Sequence, residues 1–378
     1  MITRTKCLAG VALLASAAFV LTACAATDEA AMDGTNTAGA EANSSLSGTL
    51  VGAGASSQGS AQEAWVAGFQ TANPDVTVTY DPIGSGGGRE TFQSGASSFA
   101  GSDRAFKVDE ITEGPFGSCV EEAGIWEIPA YISPIAIIFN LEGISTLNLD
   151  ADTLAQIFTG EITNWNDAAI ASQNAGVDLP DLSITAVHRS DESGTTANFT
   201  DYMSKASTDF WLLAGENAGS FEAWPAEWGG EGAPQTSGVV DAVTNGTGTI
   251  GYADASRAGS LGTVSVKVGS EYVPYSAEAA AKIVDASPAA NPGERGDNDL
   301  AIELDRATEA SGTYPIVLVS YLIGCNDYAD DSVVDLVKGY VSYVVSEEGQ
   351  LAAQANAGNA PISADSRAKA EAILASIK

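Results

Sequence analysis

The chain holds 378 residues, with 49 acidic and 16 basic side chains, a formal net charge of -33 and 45% hydrophobic residues. That length exceeds one typical domain, and the apolar content is that of a globular protein. The acidic surface argues against a nucleic-acid partner, whose phosphates it repels, and a single histidine argues against polyhistidine metal chemistry.

Arg4 and Lys6 precede an apolar run over residues 8–21, which is short for a bilayer span. The run ends in Leu21-Thr22-Ala23-Cys24. This order predicts a signal peptide over residues 1–23 and resembles the bacterial lipobox, in which cleavage before the cysteine is coupled to lipidation of its thiol. The alternative is an ordinary signal peptide with an incidental cysteine. Cys24 is thus expected to anchor the protein to the outer face of the cell membrane. Residues 24–46 are small, polar and acidic. They cannot bury enough apolar surface to offset the entropy of ordering, so a flexible tether is expected.

The alternation of strand-like and helix-like segments begins near residue 48. Residues 49–51 read as a strand; Ala61, Trp65 and Phe69 then recur at helical spacing, and Pro74 ends the helix. Val76, Val78 and Tyr80 alternate as in a strand. A glycine run at 84–88 leads toward a helix opening near Arg89, and residues 98–103 read as a short strand. Residues 125–139 and 314–323 are almost continuously apolar, as in strands buried on both faces. Helices are expected over 152–158, after residue 196, over 239–245 and over 333–346, with strands over 182–187 and 249–252. This pattern predicts an α/β architecture with mostly parallel sheets and a ligand at the strand C-terminal ends.

Three Gly/Ser-rich turns each follow a strand candidate and precede a helix: Gly54-Ala55-Ser56-Ser57, Gly84-Ser85-Gly86-Gly87 and Ser193-Gly194-Thr195-Thr196. Helix starts offer uncommitted backbone N–H groups and the positive end of the dipole. Each turn alone reads as an ordinary N-cap. Together, with Arg189 beside the third and Asp191 able to hold it, they point to an oxyanion ligand. Cys7 leaves with the signal peptide, so Cys119 and Cys325 remain in an oxidising compartment. They are either bridged or two separate buried thiols; the bridge is the expected state.

The blocks GAGASS, IGSGGGRE, FAGSD and HRSDESGTT, with TGEITNWND, GTIGYADAS and EGQLAAQANAGNAPIS further along, resemble the phosphate-binding proteins of phosphate ABC importers over essentially residues 46–378. The resemblance implies a two-lobed periplasmic-binding-protein-like type II fold with phosphate in the cleft. Lobe I is expected over 47–130 with 311–378, and lobe II over 131–310. The implied ligand set is Ser56, Ser57, Ser85, Asp103, Arg189, Ser193, Gly194 and Thr195. Two departures stand out. Ser57 occupies a position where an aromatic residue is common, so only its backbone N–H carries over well. Glu192 stands where glycine is frequent, and its side chain is expected to face solvent.

The implied partners are inorganic phosphate and the permease subunits of an importer, with membrane attachment through the lipid; a monomer without cofactor is expected. Asp103, if ionised, has only acceptors to offer and requires a proton on the ligand. Phosphate carries one at neutral pH and sulfate does not. The alternatives are a binding protein for another oxyanion and a phosphate-sensing surface lipoprotein. A hydrolase would require a Ser–His–acid arrangement or a G-x-S-x-G elbow; the sequence lacks the elbow and has only His188.

Overall fold

A computed structural model describes residues 46–210 and 219–378. The expected signal peptide, the lipidation site Cys24 and nearly all of the tether lie outside the described residues.

The strands divide into two groups joined by one long strand. In the first group β1 (Gly48–Gly54) lies between β2 (Val76–Asp81) and β3 (Phe99–Ser102), parallel to both. β3 pairs antiparallel with β11 (Val317–Cys325), which pairs antiparallel with β4 (Ile125–Phe139). All fifteen residues of β4 are buried. Its first part, up to Pro134, belongs with β11, and from Ile135 onward it pairs with β8 (Thr249–Asp254). β8 continues to β6 (Thr185–Arg189) and β7 (Glu231–Ala233), while β5 (Thr146–Leu149), β9 (Gly262–Val268) and β10 (Glu271–Val273) extend from the far end of β4.

The expectation of mostly parallel sheets is corrected here: parallel and antiparallel pairs are mixed. The chain runs outward along β4 and returns along β11, so these two buried strands oppose each other. An apolar run shows that a strand is buried on both faces but not which way its neighbours run.

Helix α1 (Gly59–Ala72) buries Ala61, Trp65 and Phe69 on one face, each large side chain stabilising by roughly 1.5–3 kcal/mol. Helix α2 (Ser85–Gln93) begins inside the glycine run rather than at Arg89. A Cβ on Gly88 would lie 2.3 Å from the Gly54 Cα, so only glycine lets this helix rest directly on β1. Helices α3 (Val108–Glu113), α4 (Ala151–Phe158), α5 (Ala168–Gln173), α6 (Gly194–Ala206), α7 (Gln235–Asn245) and α8 (Ala277–Ala286) follow in order. The first strand group is closed by α9 (Val334–Val345), α10 (Glu347–Ala357) and α11 (Ala364–Ser376). Among the described residues no helix is long and apolar enough to cross a membrane.

Cys119 and Cys325 form a disulfide across a sequence separation of 206. Restricting so long a loop in the unfolded chain stabilises by about 3–5 kcal/mol on the chain-entropy view. Replacing both cysteines by alanine is expected to cost that much in urea unfolding while leaving ligand affinity unchanged, because the bridge joins elements of the first group away from the three turns.

A second buried group sits where β4 changes partners. Asp254, at the end of β8 opposite Ile135, is 0% exposed. Its carboxylate accepts the Tyr131 hydroxyl at 3.0 and 3.1 Å and the Ser256 N–H at 2.9 Å. Burial outweighs these bonds and raises its pKa from 3.8 to about 6. The folded state therefore holds this proton more tightly than the unfolded chain. The associated stability is present below pH ~4 and is lost as pH rises through ~6, a term on the order of 3 kcal/mol. Asp254→Asn is expected to flatten the stability change between about pH 4 and 6, read by denaturant midpoints at each pH.

Candidate functional site

Three strand ends bring their following turns together around one carboxylate. β1 leads through a 3-10 turn at Ser56–Gln58 into α1. β3 ends at Ser102, and Asp103 follows it, 3% exposed. β6 ends at Arg189, and Ser193 caps α6 by accepting the Thr196 N–H on its Oγ at 3.2 Å. Strand geometry explains why these ends meet: the side chains of the buried strands fill the core, and the chain turns outward where each strand stops.

Asp103 is surrounded by donors. The Ser57 Oγ donates to its Oδ1 at 2.6 Å, and the Ser320 Oγ on β11 donates to the same oxygen at 2.7 Å. The Thr195 Oγ1 donates to Oδ2 at 3.1 Å. The Asp103 N–H donates to the Ser85 Oγ at 3.1 Å, which leaves the Ser85 hydroxyl proton for another acceptor. Asn198, one turn into α6, donates its Nδ2 proton to the Asp103 carbonyl at 2.6 Å. Burial raises the Asp103 carboxyl above its ordinary range, and the hydroxyls of Ser57, Ser320 and Thr195 and the charge of Arg189 offset that rise only in part.

Arg189 is also 3% exposed. Its Nε donates to Asp191 Oδ1 at 2.7 Å, and a second guanidinium nitrogen donates to Asp191 Oδ2. The Gln235 N–H donates to the same carboxylate at 2.9 Å. Burial works to raise Asp191, yet the bonds and charge of Arg189 outweigh it and hold the carboxyl below its ordinary range. A two-point pair of this kind fixes the plane of the guanidinium.

The start of α6 abuts the first group closely. A Cβ on Gly194 would lie 2.5 Å from Ser85 Oγ and 2.7 Å from the Asp103 Cβ, so no other residue fits there. Among the described residues the backbone N–H groups of Ser57, Gly194 and Thr195 have no hydrogen-bond acceptor in the protein. They point to an anion-accepting arrangement at helix starts.

The structure thus brings Ser57, Ser85, Asp103 and Thr195 into direct hydrogen-bonded contact, with Gly194 packed against Ser85 and Asp103. Ser193 acts here through its cap. Ser56 turns away: its hydroxyl pairs with Thr236 Oγ1 at 3.0 Å and accepts the Thr236 N–H at 3.2 Å. It lines a cavity of about 530 Å3 with Gln62, Thr236 and Arg257. Glu192 is exposed. Further contacts tie the two groups together: Glu222 accepts from Arg89 at 2.5 Å and from Arg104 at 2.9 Å.

Ser320, Gln58 and Asn198 were not legible as site residues. Ser320 had a signal, being a hydroxyl within the otherwise apolar and aromatic β11. Asn198 stands four residues after Gly194 on the same helix face. His188 stacks on Trp224 with ring centroids 5.0 Å apart, and its Nδ1 meets the Arg189 carbonyl at 2.9 Å; neither contact activates a serine. Among the described residues no cluster of His, Cys, Asp or Glu is suited to a metal ion.

Comparison with known proteins identifies the family. Residues 39–348 match the family model described as a PBP superfamily domain. Phosphate-binding protein PstS 3 of Mycobacterium tuberculosis is 35% identical over 346 residues, covering 89% of this chain and 90% of that protein. Phosphate-binding protein PstS 2 of the same organism is 32% identical over the same coverage. Among solved structures, a high-affinity periplasmic phosphate-binding protein with phosphate bound superposes with a TM-score of 0.68 at 22% identity, covering 86% of this chain and 93% of the other. The fold, the coverage and the identity agree: the chain belongs to the PstS phosphate-binding proteins of the PBP superfamily.

Proposed function

We propose that this protein captures inorganic phosphate outside the cytoplasm and delivers it to an ABC importer. The relatives are named for phosphate binding, and a structural neighbour from Clostridium perfringens is described as a putative phosphate ABC transporter substrate-binding protein with bound phosphate (TM-score 0.58, 19% identity, 84% of this chain and all of the other). The observation that carries the reading is Asp103, a buried acceptor set among the hydroxyls and helix-start amides of three turns.

The ligand set we propose is Ser57, Ser85, Asp103, Arg189, Ser193, Gly194 and Thr195, with Ser56 at the margin. Ser85 supplies its free proton, α6 its uncommitted amides and Arg189 its charge. Charge-assisted bonds of this kind contribute roughly 1.5–3 kcal/mol each. Asp103 accepts the one proton that hydrogen phosphate retains, and a fully deprotonated oxyanion meets it acceptor to acceptor. The acidic surface does not oppose this, because the site is formed from local dipoles and one buried arginine.

Lobe I in this proposal comprises 47–130 with 311–378, and lobe II 131–310. The change of partner in β4 after Pro134 supports a crossover there. Each lobe contributes about half the donors, so ligand favours the closed arrangement that a permease can recognise. The protein acts as a monomer held to the outer face of the membrane by lipid on Cys24; the Leu-Thr-Ala-Cys tetrad supports this part.

The test is titration calorimetry on the full chain stripped of bound anion, first with phosphate and then with sulfate. One-to-one phosphate binding without sulfate heat is the expected result. Equal heat from sulfate, or none from either anion, overturns the proposal.

A further inference from the structure

Behind Asp103 runs a buried chain of hydrogen bonds in which every donor faces the carboxylate. The Tyr340 hydroxyl on α9 bonds Gln62 Oε1 at 2.6 Å. Gln62 Nε2 donates to Gln58 Oε1 at 2.8 Å. Gln58 Nε2 donates to Ser320 Oγ at 2.6 Å and to the Tyr321 carbonyl at 3.2 Å. Ser320 Oγ then donates to Asp103 Oδ1 at 2.7 Å. Tyr340, Gln58 and Ser320 are 0% exposed and Gln62 is 2% exposed, so water does not compete for these partners.

The direction of the chain is forced by one backbone atom. The Tyr321 carbonyl can only accept, so the Gln58 amide nitrogen faces β11 and its oxygen faces Gln62. Gln62 must then donate and present its own oxygen to Tyr340. Burial raises the Tyr340 pKa, which keeps its hydroxyl a donor. Ser320, having accepted from Gln58, has only one place left for its proton, and that is Asp103. With Ser57 donating to the same oxygen, Oδ1 is closed to protonation. Only Oδ2, which faces Thr195 on α6, can share a proton with a ligand.

We infer that Gln58, acting through Ser320, is a positioning residue that holds Asp103 as an obligate acceptor and so sets which protonation state of an oxyanion the site accepts. This inference rests on the phosphate-binding reading. Hydrogen bonds to the charged form of a buried carboxyl favour that form. Other groups facing Asp103 are Arg189 from β6, whose charge also favours the carboxylate, and Tyr80 from β2, which burial keeps protonated and whose hydroxyl donates to the Ala55 carbonyl. Arg104, the next residue, turns to Glu110 and Glu222. The Gln58 chain thus reaches the proposed ligand set through the Asp103 carboxylate alone.

The experiment measures sulfate and phosphate affinity from pH 5 to 9 for the full chain and for Gln58→Met, Ser320→Ala and Tyr340→Phe. Sulfate binds once Asp103 is protonated and becomes a donor. The pH below which sulfate binds is expected to rise by about one unit in Gln58→Met and Ser320→Ala, which is about tenfold more sulfate affinity at an intermediate pH. Tyr340→Phe, which removes one distant hydroxyl, is expected to shift it less and in the same direction. Phosphate affinity at pH 8 stays within about threefold in Tyr340→Phe, and in the other two variants the ratio of sulfate to phosphate affinity rises. Loss of both anions in parallel at every pH marks a merely structural role and overturns the inference, as does an unchanged sulfate threshold in the folded variants. If Gln58→Met fails to fold, the other two variants decide. Absence of phosphate binding by the unaltered chain defeats the phosphate reading itself, a separate outcome.

Discussion

Asp103→Asn is expected to reduce the preference for phosphate over sulfate from on the order of 10⁴–10⁵ to within about tenfold. The carboxylate offers acceptors only, and its two oxygens already take hydroxyl protons from Ser57, Ser320 and Thr195. A ligand oxygen without a proton adds one more acceptor beside a carboxylate that is 3% exposed. An asparagine keeps an oxygen for Ser57 and Ser320 and places a donor where Oδ2 stood. Sulfate then gains a hydrogen bond in place of a repulsion. The fold is expected to survive, because burial already disfavours the Asp103 charge and Asn198 bonds the backbone carbonyl rather than the side chain. Competition of sulfate against bound phosphate at pH 8 gives the ratio directly. A ratio unchanged from that of the unaltered chain sinks the assignment of Asp103 as the selectivity residue.

The second large effect belongs to Arg189. Arg189→Met is expected to weaken phosphate binding by about 10²–10⁴, the loss of two charge-assisted hydrogen bonds at roughly 1.5–3 kcal/mol each. The same change strands Asp191, whose carboxylate loses the partner that holds it below its ordinary range. Part of any loss of stability therefore comes from an unpaired acid and not from the missing arginine. Adding Asp191→Asn to Arg189→Met separates the two. Stability is expected to recover in the double variant while affinity does not. Asp191→Asn alone is expected to weaken phosphate by about tenfold, since the guanidinium keeps its charge but loses its fixed plane. Calorimetric affinities with urea midpoints for the four proteins complete the cycle. Recovery of affinity in the double variant contradicts a direct role for Arg189.

Much of the architecture was readable from local pattern. The alternation of Val76, Val78 and Tyr80, the spacing of Ala61, Trp65 and Phe69, and the apolar run of residues 125–139 became β2, α1 and β4. Periodicity reports which face of an element is buried, and that depends on neighbours in sequence. The three helix-start turns were legible for the same reason, since a strand end, small residues and a following helix lie within one short segment. The glycine run misled by one turn, because Gly88 is fixed by contact with Gly54 of β1 rather than by local preference.

The sequence alone determined the chemistry available to the site: hydroxyls and amides at three turns, one arginine with an aspartate two residues on, and Asp103 at a strand end. Tertiary structure decided how that chemistry is spent. It set β4 and β11 antiparallel, turned the Ser56 hydroxyl to Thr236 and the Ser57 hydroxyl to Asp103, and drew Ser320 and Gln58 to the same carboxylate. Ser57 and Asp103 are 46 residues apart, and Asp103 and Ser320 are 217 apart. A hydrogen bond constrains atoms in space to within a few tenths of an ångström, and no periodicity along the chain carries information at that separation.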